Sequence, residues 1–340
     1  MSSVTSVAAV VLAWRDEPWL EHSVGALLAS TGVDVEVVLV DNGCTSGAVE
    51  RLAARPGVVV VRPGRNLGFA GGCNAGAAVA TADVLALVNA DAVVAPGALA
   101  ALAAVATEPG VGIATGSIRL AEDPARLNSA GNPLHYLGLV WAGGFGVPAA
   151  GHPARTEVPL ASGAGCALRR QLWRELGGFA AEYFAYHEDA ELSWRCRQRG
   201  LSVVYVPDAV VVHRYEFSRT PAKQYLLERN RWLFVLTLYG PRTLLVLAPA
   251  LLAFEAAITA VAAVQGWLPA KLRGWAWLVR HAGWIRRRRA LLQRERTLAD
   301  RELRDWVTGR FDPANLPMPP GAGVAGAVLA AYWRLARRLL

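Results

Sequence analysis

The chain has 340 residues, 54% hydrophobic and 18% charged, too long for one small domain and too apolar to stay disordered. Its formal charge of +8 is local: residues 271–310 carry 12 Lys/Arg against 4 Asp/Glu, and the remainder is balanced. A basic block beside an apolar run points to an anionic membrane surface and away from nucleic acid, whose readers need basic side chains on a folded face.

The first apolar run, Val7–Ala13, has no basic stretch before it, so it reads as a strand and not as a signal peptide. The chain then predicts a helix over Glu17–Ser30, a strand at Val35–Val40 and a helix near Gly47–Arg55. A strand at Val58–Val61, a helix at Gly72–Ala80 and a strand at Val84–Val88 follow. Continuous β-branched runs alternating with helices imply a mostly parallel sheet covered on both faces. Ligands of such sheets sit beyond the carboxyl ends of the strands. Those ends are polar: Asp41-Asn42-Gly43, the Gly-rich stretch 62–74, and Asn89-Ala90-Asp91. Each alone is ordinary turn chemistry; their joint placement points to one crevice.

From 111 to 235 the pattern becomes an α+β mixture. Ser162-Gly163-Ala164-Gly165 leads into a helix at Arg169–Leu176. Tyr186-His187-Glu188-Asp189 opens a helix running to about Arg199. Short strands at Val203–Val206 and Ala209–Val212 end at His213. Thr243–Val264 is a nearly uncharged run of bilayer-spanning length, broken only by Pro249 and Glu255. Positive charge flanks it on both sides, so a re-entrant hairpin or a helix lying on the membrane fits better than a span. A core helix at a homo-oligomer interface is the alternative. Gly323–Leu340 has an amphipathic interfacial pattern that a docking helix would share. The four cysteines, Cys44, Cys73, Cys166 and Cys196, lack C-x-x-C spacing and read as reduced thiols, so the active part is expected to face the cytoplasm.

Four ordered motifs carry a resemblance: Asp41-Asn42; Asn66-Leu67-Gly68-Phe69-Ala70-Gly71-Gly72 with Asn74 and Gly76; Asn89-Ala90-Asp91; and Tyr186-His187-Glu188-Asp189. In order and spacing they resemble the inverting family-2 glycosyltransferases of GT-A fold, most of all the bacterial rhamnosyltransferase-like branch. The resemblance covers about residues 5–235 and continues through Glu228-Arg229-Asn230. It implies an α/β, Rossmann-like GT-A domain over 1–235, with a nucleotide-binding half (1–110) and an acceptor half (111–235). A helical, basic, membrane-associating region would follow over 236–340.

The resemblance also implies roles. Asp41 would accept the ring N–H of a uracil or thymine. Asn42, Arg65, Asn66, Gly71, Gly72, Asn74, Asn89, Ala90, Ser162 and Gly163 would line the donor nucleotide and its sugar. Asp91 and His213 would hold Mn²⁺ or Mg²⁺, which acts as a Lewis acid on the leaving diphosphate. Asp189 would take the proton of the acceptor hydroxyl, with Glu188 holding the acceptor or orienting the loop. Plainer readings stand beside these: His213 as a hydrogen-bonded strand-end histidine, Glu188 and Asp189 as helix-dipole partners, and Ser162-Gly163 as a turn. Trp194 and Arg195 would line the acceptor cleft or pack a helix face, and Arg229-Asn230 would hold an acceptor pyrophosphate or cap structure.

The chain departs from the family pattern in three places. Asn89 replaces the first Asp of the metal motif, the first strand ends in Ala13-Trp14-Arg15-Asp16, and Cys73 stands where some branches carry a phosphate-binding Arg, for which Arg65 would compensate. The expected activity is transfer of a sugar, from dTDP-L-rhamnose first and UDP-sugars second, to a lipid-linked glycan in cell-wall or surface-polysaccharide assembly at the cytoplasmic face of the plasma membrane. A catalytically silent sugar-nucleotide-binding partner is one rival. A sugar nucleotidyltransferase is weaker, because Ala13–Pro18 has neither Gly-rich loop nor Lys. A dehydrogenase is disfavoured, because the glycines at 68, 71, 72 and 76 do not form G-x-G-x-x-G.

Overall fold

A computed structural model describes residues 4–214, 220–312, 314 and 322–340. The chain forms two compact units: one of residues 1–132, 142–196 and 201–216, the other of 133–141, 197–200 and 217–340.

The first unit opens with β1 (Ser6–Arg15), α1 (Leu20–Leu28), β2 (Asp34–Cys44), α2 (Ala48–Ala53), β3 (Val58–Val61), α3 (Gly68–Val79) and β4 (Val84–Val88). It continues with β5 (Ala92–Val94), α4 (Ala98–Ala106), β6 (Val111–Leu120) and β7 (Leu127–Ser129). Past β8 (Leu134–His135), which belongs to the second unit, come β9 (Thr156–Glu157), β10 (Gly165–Arg169), α5 (Arg170–Leu176), α6 (Glu188–Gln198) and β11 (Ser202–His213).

The sheet runs β3-β2-β1-β4-β10-β6-β11-β5. β1 pairs in parallel with both β2 and β4, so the chain reverses its direction of travel across the sheet beside β1. That switch leaves a crevice beyond the strand ends. The two faces follow the period of two: Val7, Ala9, Val11 and Ala13 enter one core, Ala8, Val10 and Leu12 the other. Both cores are apolar, which is why these strands read as unbroken apolar runs.

Two local expectations change. The helix after β3 begins at Gly68, four residues before the expected Gly72. Gly68 has φ +71°, and a Cβ there would lie 2.3 Å from the Phe184 carbonyl oxygen. Gly72 and Gly76 lie against Leu12 and Val10, where a Cβ would meet side-chain carbons at 2.4 and 2.5 Å. These two glycines let α3 approach the sheet, not a nucleotide. The two short strands expected over 203–212 are one strand, β11, whose pairing with β6 jumps between Val206 and Val210. Pro207 falls in the bulge, where its missing N–H costs no ladder bond.

The second unit holds α7 (Pro221–Leu238), α8 (Pro241–Val264), α9 (Leu268–Arg280), α10 (Ala282–Glu295), α11 (Asp300–Leu303), β12 (Val307–Thr308) paired with β8, and α12 (Ala322–Ala336). The apolar run forms one 24-residue helix through Pro249, not a hairpin. By length and composition it can cross a membrane, and only 17% of its most apolar window is buried. A helix packed inside a core would show the opposite.

Candidate active site

Three strand ends meet at the crevice. At the end of β2, the Asp41 carboxylate accepts backbone N–H bonds from Gly43 (3.3 Å) and Cys44 (3.0 Å), leaving its other oxygen for a ligand donor. Asn42 is buried and spends its amide inside the protein. Its Nδ2 donates to Asn66 Oδ1 (3.2 Å) and Gly68 O (3.1 Å), and its Oδ1 accepts from Leu67 N (2.8 Å). Asn66 Oδ1 also accepts from Gly68 N (2.7 Å). The pair pins the turn that starts α3. Asn74 is a clamp as well: it donates to Phe179 O (2.9 Å) and accepts from Phe179 N (3.0 Å). Gly71 is half-buried, with Leu67 against its α-carbon, and Arg65 is exposed to solvent. Cys73 is buried, and burial together with the charge of Glu188 pushes its thiol well up. It is core, not a phosphate ligand.

Beyond β4, β11 returns antiparallel to β5 with His213 opposite Ala92. That register brings His213 Nε2 to 3.2 Å from Asp91 Oδ1 and 3.3 Å from Asn89 Nδ2. Ala90 lies half-buried between them in sequence. A carboxylate oxygen and an imidazole nitrogen at this distance can share the ring N–H of the imidazole or a metal ion. Their spacing is near the roughly 3 Å edge of an octahedron with ~2.1 Å bonds. The donor set therefore fits Mn²⁺ or Mg²⁺ with two protein ligands, the remaining positions falling to phosphate and water. Among the described residues no cluster of three or more His, Cys, Asp or Glu forms a complete metal cage.

The third corner is the start of α6. Asp189 Oδ2 accepts from Gly163 N (3.0 Å) and Oδ1 from Ala190 N (2.7 Å). Its backbone carbonyl accepts from Ser193 Oγ (2.7 Å), which in turn accepts from Ala161 N (3.0 Å). Ser162 N donates to Thr115 Oγ1 (3.1 Å), fixing the loop against β6. Glu188 is buried, and its Oε2 has no hydrogen-bond partner among the described residues. Burial raises both carboxyls, and Asp189 beside it raises Glu188 well above the usual carboxylate range. The N–H groups of Gly163, Ala190 and Asp189 itself oppose the rise at Asp189. Asp189 is therefore the first of the pair to ionise.

Sequence reading missed two features. Phe184, Tyr186 and His187 all have positive φ (63°, 71° and 69°), a strained turn that aims α6 into the crevice. Its Phe184 carbonyl accepts from Ala70 N (3.0 Å), tying it to the start of α3. At the end of β1, Trp14 is 47% exposed, with the Arg15 guanidinium 4.3 Å from its ring centroid. Arg15 itself has φ +56°. An exposed aromatic at a strand end was the available signal. Trp194 and Arg195, by contrast, are buried: Arg195 pairs with Glu191 (2.7 Å) and donates to the carbonyls of Leu176 and Gly178 (both 2.6 Å). Arg229 in the second unit is likewise buried, donating to Asn230 Oδ1 (2.9 Å) and lying over Trp277. Neither faces a cleft.

The sequence profile described as "Glycosyltransferase like family 2" matches residues 5–234. The N-acetylglucosaminyl-diphospho-decaprenol L-rhamnosyltransferase of Mycobacterium tuberculosis is 30% identical over 249 residues, 65% of this chain and 80% of that protein. Among solved structures, GalNAc-T7 with UDP, GalNAc and Mn²⁺ superposes with a TM-score of 0.59 at 20% identity, covering 71% of this chain and 49% of that one. The mannosyltransferase PcManGT from Pyrobaculum calidifontis, with GDP-Man and Mn²⁺, gives 0.51 at 20% identity, covering 98% of this chain and 83% of that one. At that identity the likeness is one of fold: the GT-A fold, with a helical C-terminal region added.

Proposed function

The chain belongs to glycosyltransferase family 2, and on that premise we propose that it transfers a sugar from a nucleoside-diphosphate donor to a lipid-linked glycan, with inversion at the anomeric carbon. The donor proposed first is dTDP-L-rhamnose, then UDP-sugars; the place is the cytoplasmic face of the membrane, in cell-wall or surface-polysaccharide assembly. A relative named for rhamnosyl transfer to a decaprenol-linked acceptor supports this reading, as does the exposed apolar α8.

One observation carries it. The Asn89 N–H donates to the Ala164 carbonyl, and the Gly163 N–H donates to the Asp189 carboxylate. Adjacent residues of one loop thus touch the Asp91/His213 corner on one side and the Glu188/Asp189 corner on the other. A leaving diphosphate and an attacking hydroxyl need that proximity, with the sugar between them.

Asp41 receives the base, and Trp14 offers it a stacking face. Asp91 and His213 would hold the divalent cation, which when bound neutralises charge on the departing diphosphate. Asp189, ionised while its neighbour is not, accepts the proton of the acceptor hydroxyl. Glu188, neutral and with a bare buried oxygen, donates a hydrogen bond to an acceptor oxygen, keeps its proton and fixes the acceptor's orientation. Gly163 keeps the Asp189 carboxylate pointed at the sugar by its N–H.

The test is release of nucleoside diphosphate from a panel of dTDP- and UDP-sugars, with and without a decaprenyl-diphospho-sugar acceptor and Mn²⁺. Acceptor-dependent release that a chelator stops is expected. Donor binding with no release under any combination would establish the silent sugar-nucleotide-binding partner instead.

A further inference from the structure

The second unit contains a cavity that sugar transfer does not use. It encloses about 470 Å³ at the N-terminal end of α8, lined by residues 240–243, by Gln293, by Arg296–Arg301 and by Leu340. Its charges are unevenly committed. Asp300 accepts from Gly240 N (2.6 Å), Thr243 Oγ1 (2.5 Å) and Arg296 Nη2 (2.6 Å), so the helix end is already capped and this acid is neutralised. Arg296 also donates to Leu298 O (2.9 Å) and Gln293 Oε1 (3.0 Å). Arg242 and Arg301 are exposed and make no side-chain hydrogen bond or ion pair among the described residues. Two open guanidinium forks on one cavity match the oxygens of a phosphate better than any other common anion.

What lies beside the cavity narrows the source of that phosphate. One turn along from Arg242, α8 begins an apolar ridge: Leu245, Leu252 and Val264 are 77%, 67% and 89% exposed. The ridge includes Ala256 and Ala260, also open to solvent. An isolated soluble anion has no use for such a ridge. An amphiphile does, because its head and its chain then bind on one continuous surface. We propose that this cavity binds the phosphate of a lipid headgroup, with the lipid's hydrocarbon chain lying along the exposed face of α8. The inference rests on the membrane association proposed above and adds a specific site to it. The Arg-rich face of α10, where Arg286 and Arg287 are exposed, supplies only diffuse attraction.

Flotation of the full chain on phosphatidylcholine vesicles, with and without phosphatidate, tests this. Arg242→Ala/Arg301→Ala and Arg286→Ala/Arg287→Ala remove equal charge, one pair at the cavity and one away from it. Both should weaken binding at low salt. At roughly 0.5 M salt, where diffuse attraction is screened, the cavity pair should keep about a tenfold loss on phosphatidate vesicles and the α10 pair should fall within about twofold of the parent. Arg242→Lys/Arg301→Lys should recover only part of the loss, because charge returns without the fork. Equal behaviour of the two Ala pairs at high salt would overturn the site while leaving membrane binding intact. Displacement of the parent by inorganic phosphate, beyond that of chloride at matched ionic strength, would make it a soluble-phosphate site and also overturn it. A parent chain that floats on no vesicle would remove both the membrane reading and the site.

Discussion

Two pairs of shielded carboxylates, one in each unit, are held in opposite ways. In the second, Glu228 and Glu255 share two cations that are each 1% exposed: Lys271 lies 2.6 Å from Glu228 and 2.8 Å from Glu255, and Arg231 lies 3.3 and 2.5 Å from the same pair. Trp275 Nε1 adds a hydrogen bond to Glu255 (2.7 Å), and these partners hold the Glu255 carboxyl below its ordinary value despite burial. In the first unit, Glu188 and Asp189 are neighbours at the start of α6, with no cation at hand among the described residues and with Gly163 and Ala190 N–H donors at Asp189. Burial pushes both up, and the Asp189 charge pushes Glu188 further. Closed charge networks hold a structure together; a raised, half-satisfied pair stores proton affinity that chemistry can use.

The sharpest way to break that contrast is to remove charge from each pair. Asp189→Asn keeps the shape of the side chain and an oxygen for the Gly163 N–H but cannot take a proton. Acceptor-dependent release of nucleoside diphosphate should fall by about 10²–10⁴, the range for a lost general base. Donor binding and the thermal midpoint should hold or rise, since a desolvated charge is removed. Lys271→Met should do the reverse. It strands Glu228 and Glu255 beside a single cation and should cost about 3–5 kcal/mol, read as a drop in the denaturant midpoint of the second unit. Glu228→Gln added to it should restore part of that loss. A Lys271→Met chain as stable as its parent would refute the network's structural role.

The sequence made these two pairs look alike, and the reason is instructive. Glu188-Asp189 and Glu228 are both acidic residues in helices, and what separates them is the partner each meets in space. Glu228 meets Lys271, 43 residues on. Strands β3 and β4 were legible to the residue, because an unbroken β-branched or aliphatic run announces itself in composition, although only β4 is buried along its whole length. The strand-end placement of Asp41, Asn89, Asp91 and His213 followed from that, as did the fold. Asn42 and Asn74 were not legible. A buried amide belongs to a ligand or to a distant backbone, and for Asn74 the backbone is 105 residues away. Nor could any pattern disclose the left-handed turn at Phe184–His187, since none of its three strained residues is a glycine.

Titration separates the units by sign. The raised carboxyls of Glu188 and Asp189 bind protons more tightly folded than unfolded. Their contribution is full below the ordinary carboxyl range and is lost as pH climbs from about 4.5 through the raised values. His135 in the second unit is pushed down by burial to about 4, so its contribution is full above about 6.5 and is lost as pH falls through 4. Urea midpoints followed from acid to neutral should therefore move in opposite directions for the two units. Glu188→Gln should flatten the first unit's loss by up to about 1.4 kcal/mol per pH unit, the slope for one proton. If that variant leaves the profile unchanged, Glu188 is ionised throughout and its assigned neutral role fails.

The Asp91/His213 corner offers a third way to hold a carboxylate, and the smallest test. Asp91 meets neither an acid nor a fixed cation but an imidazole, and the position that would bring a second negative charge is Asn89. Asn89→Asp should convert this corner toward the raised-pair condition when no metal is bound. Two carboxylates would then face His213, and the first unit should lose stability in the presence of a chelator. Added Mn²⁺ should restore it. The added anionic ligand should tighten Mn²⁺ binding by about tenfold relative to the parent, measured by calorimetry without any substrate. Asp91→Ala should abolish Mn²⁺ binding in either background. Unchanged affinity in Asn89→Asp would mean that residue 89 does not face the cation at all, and that Asp91 and His213 hold it without that side.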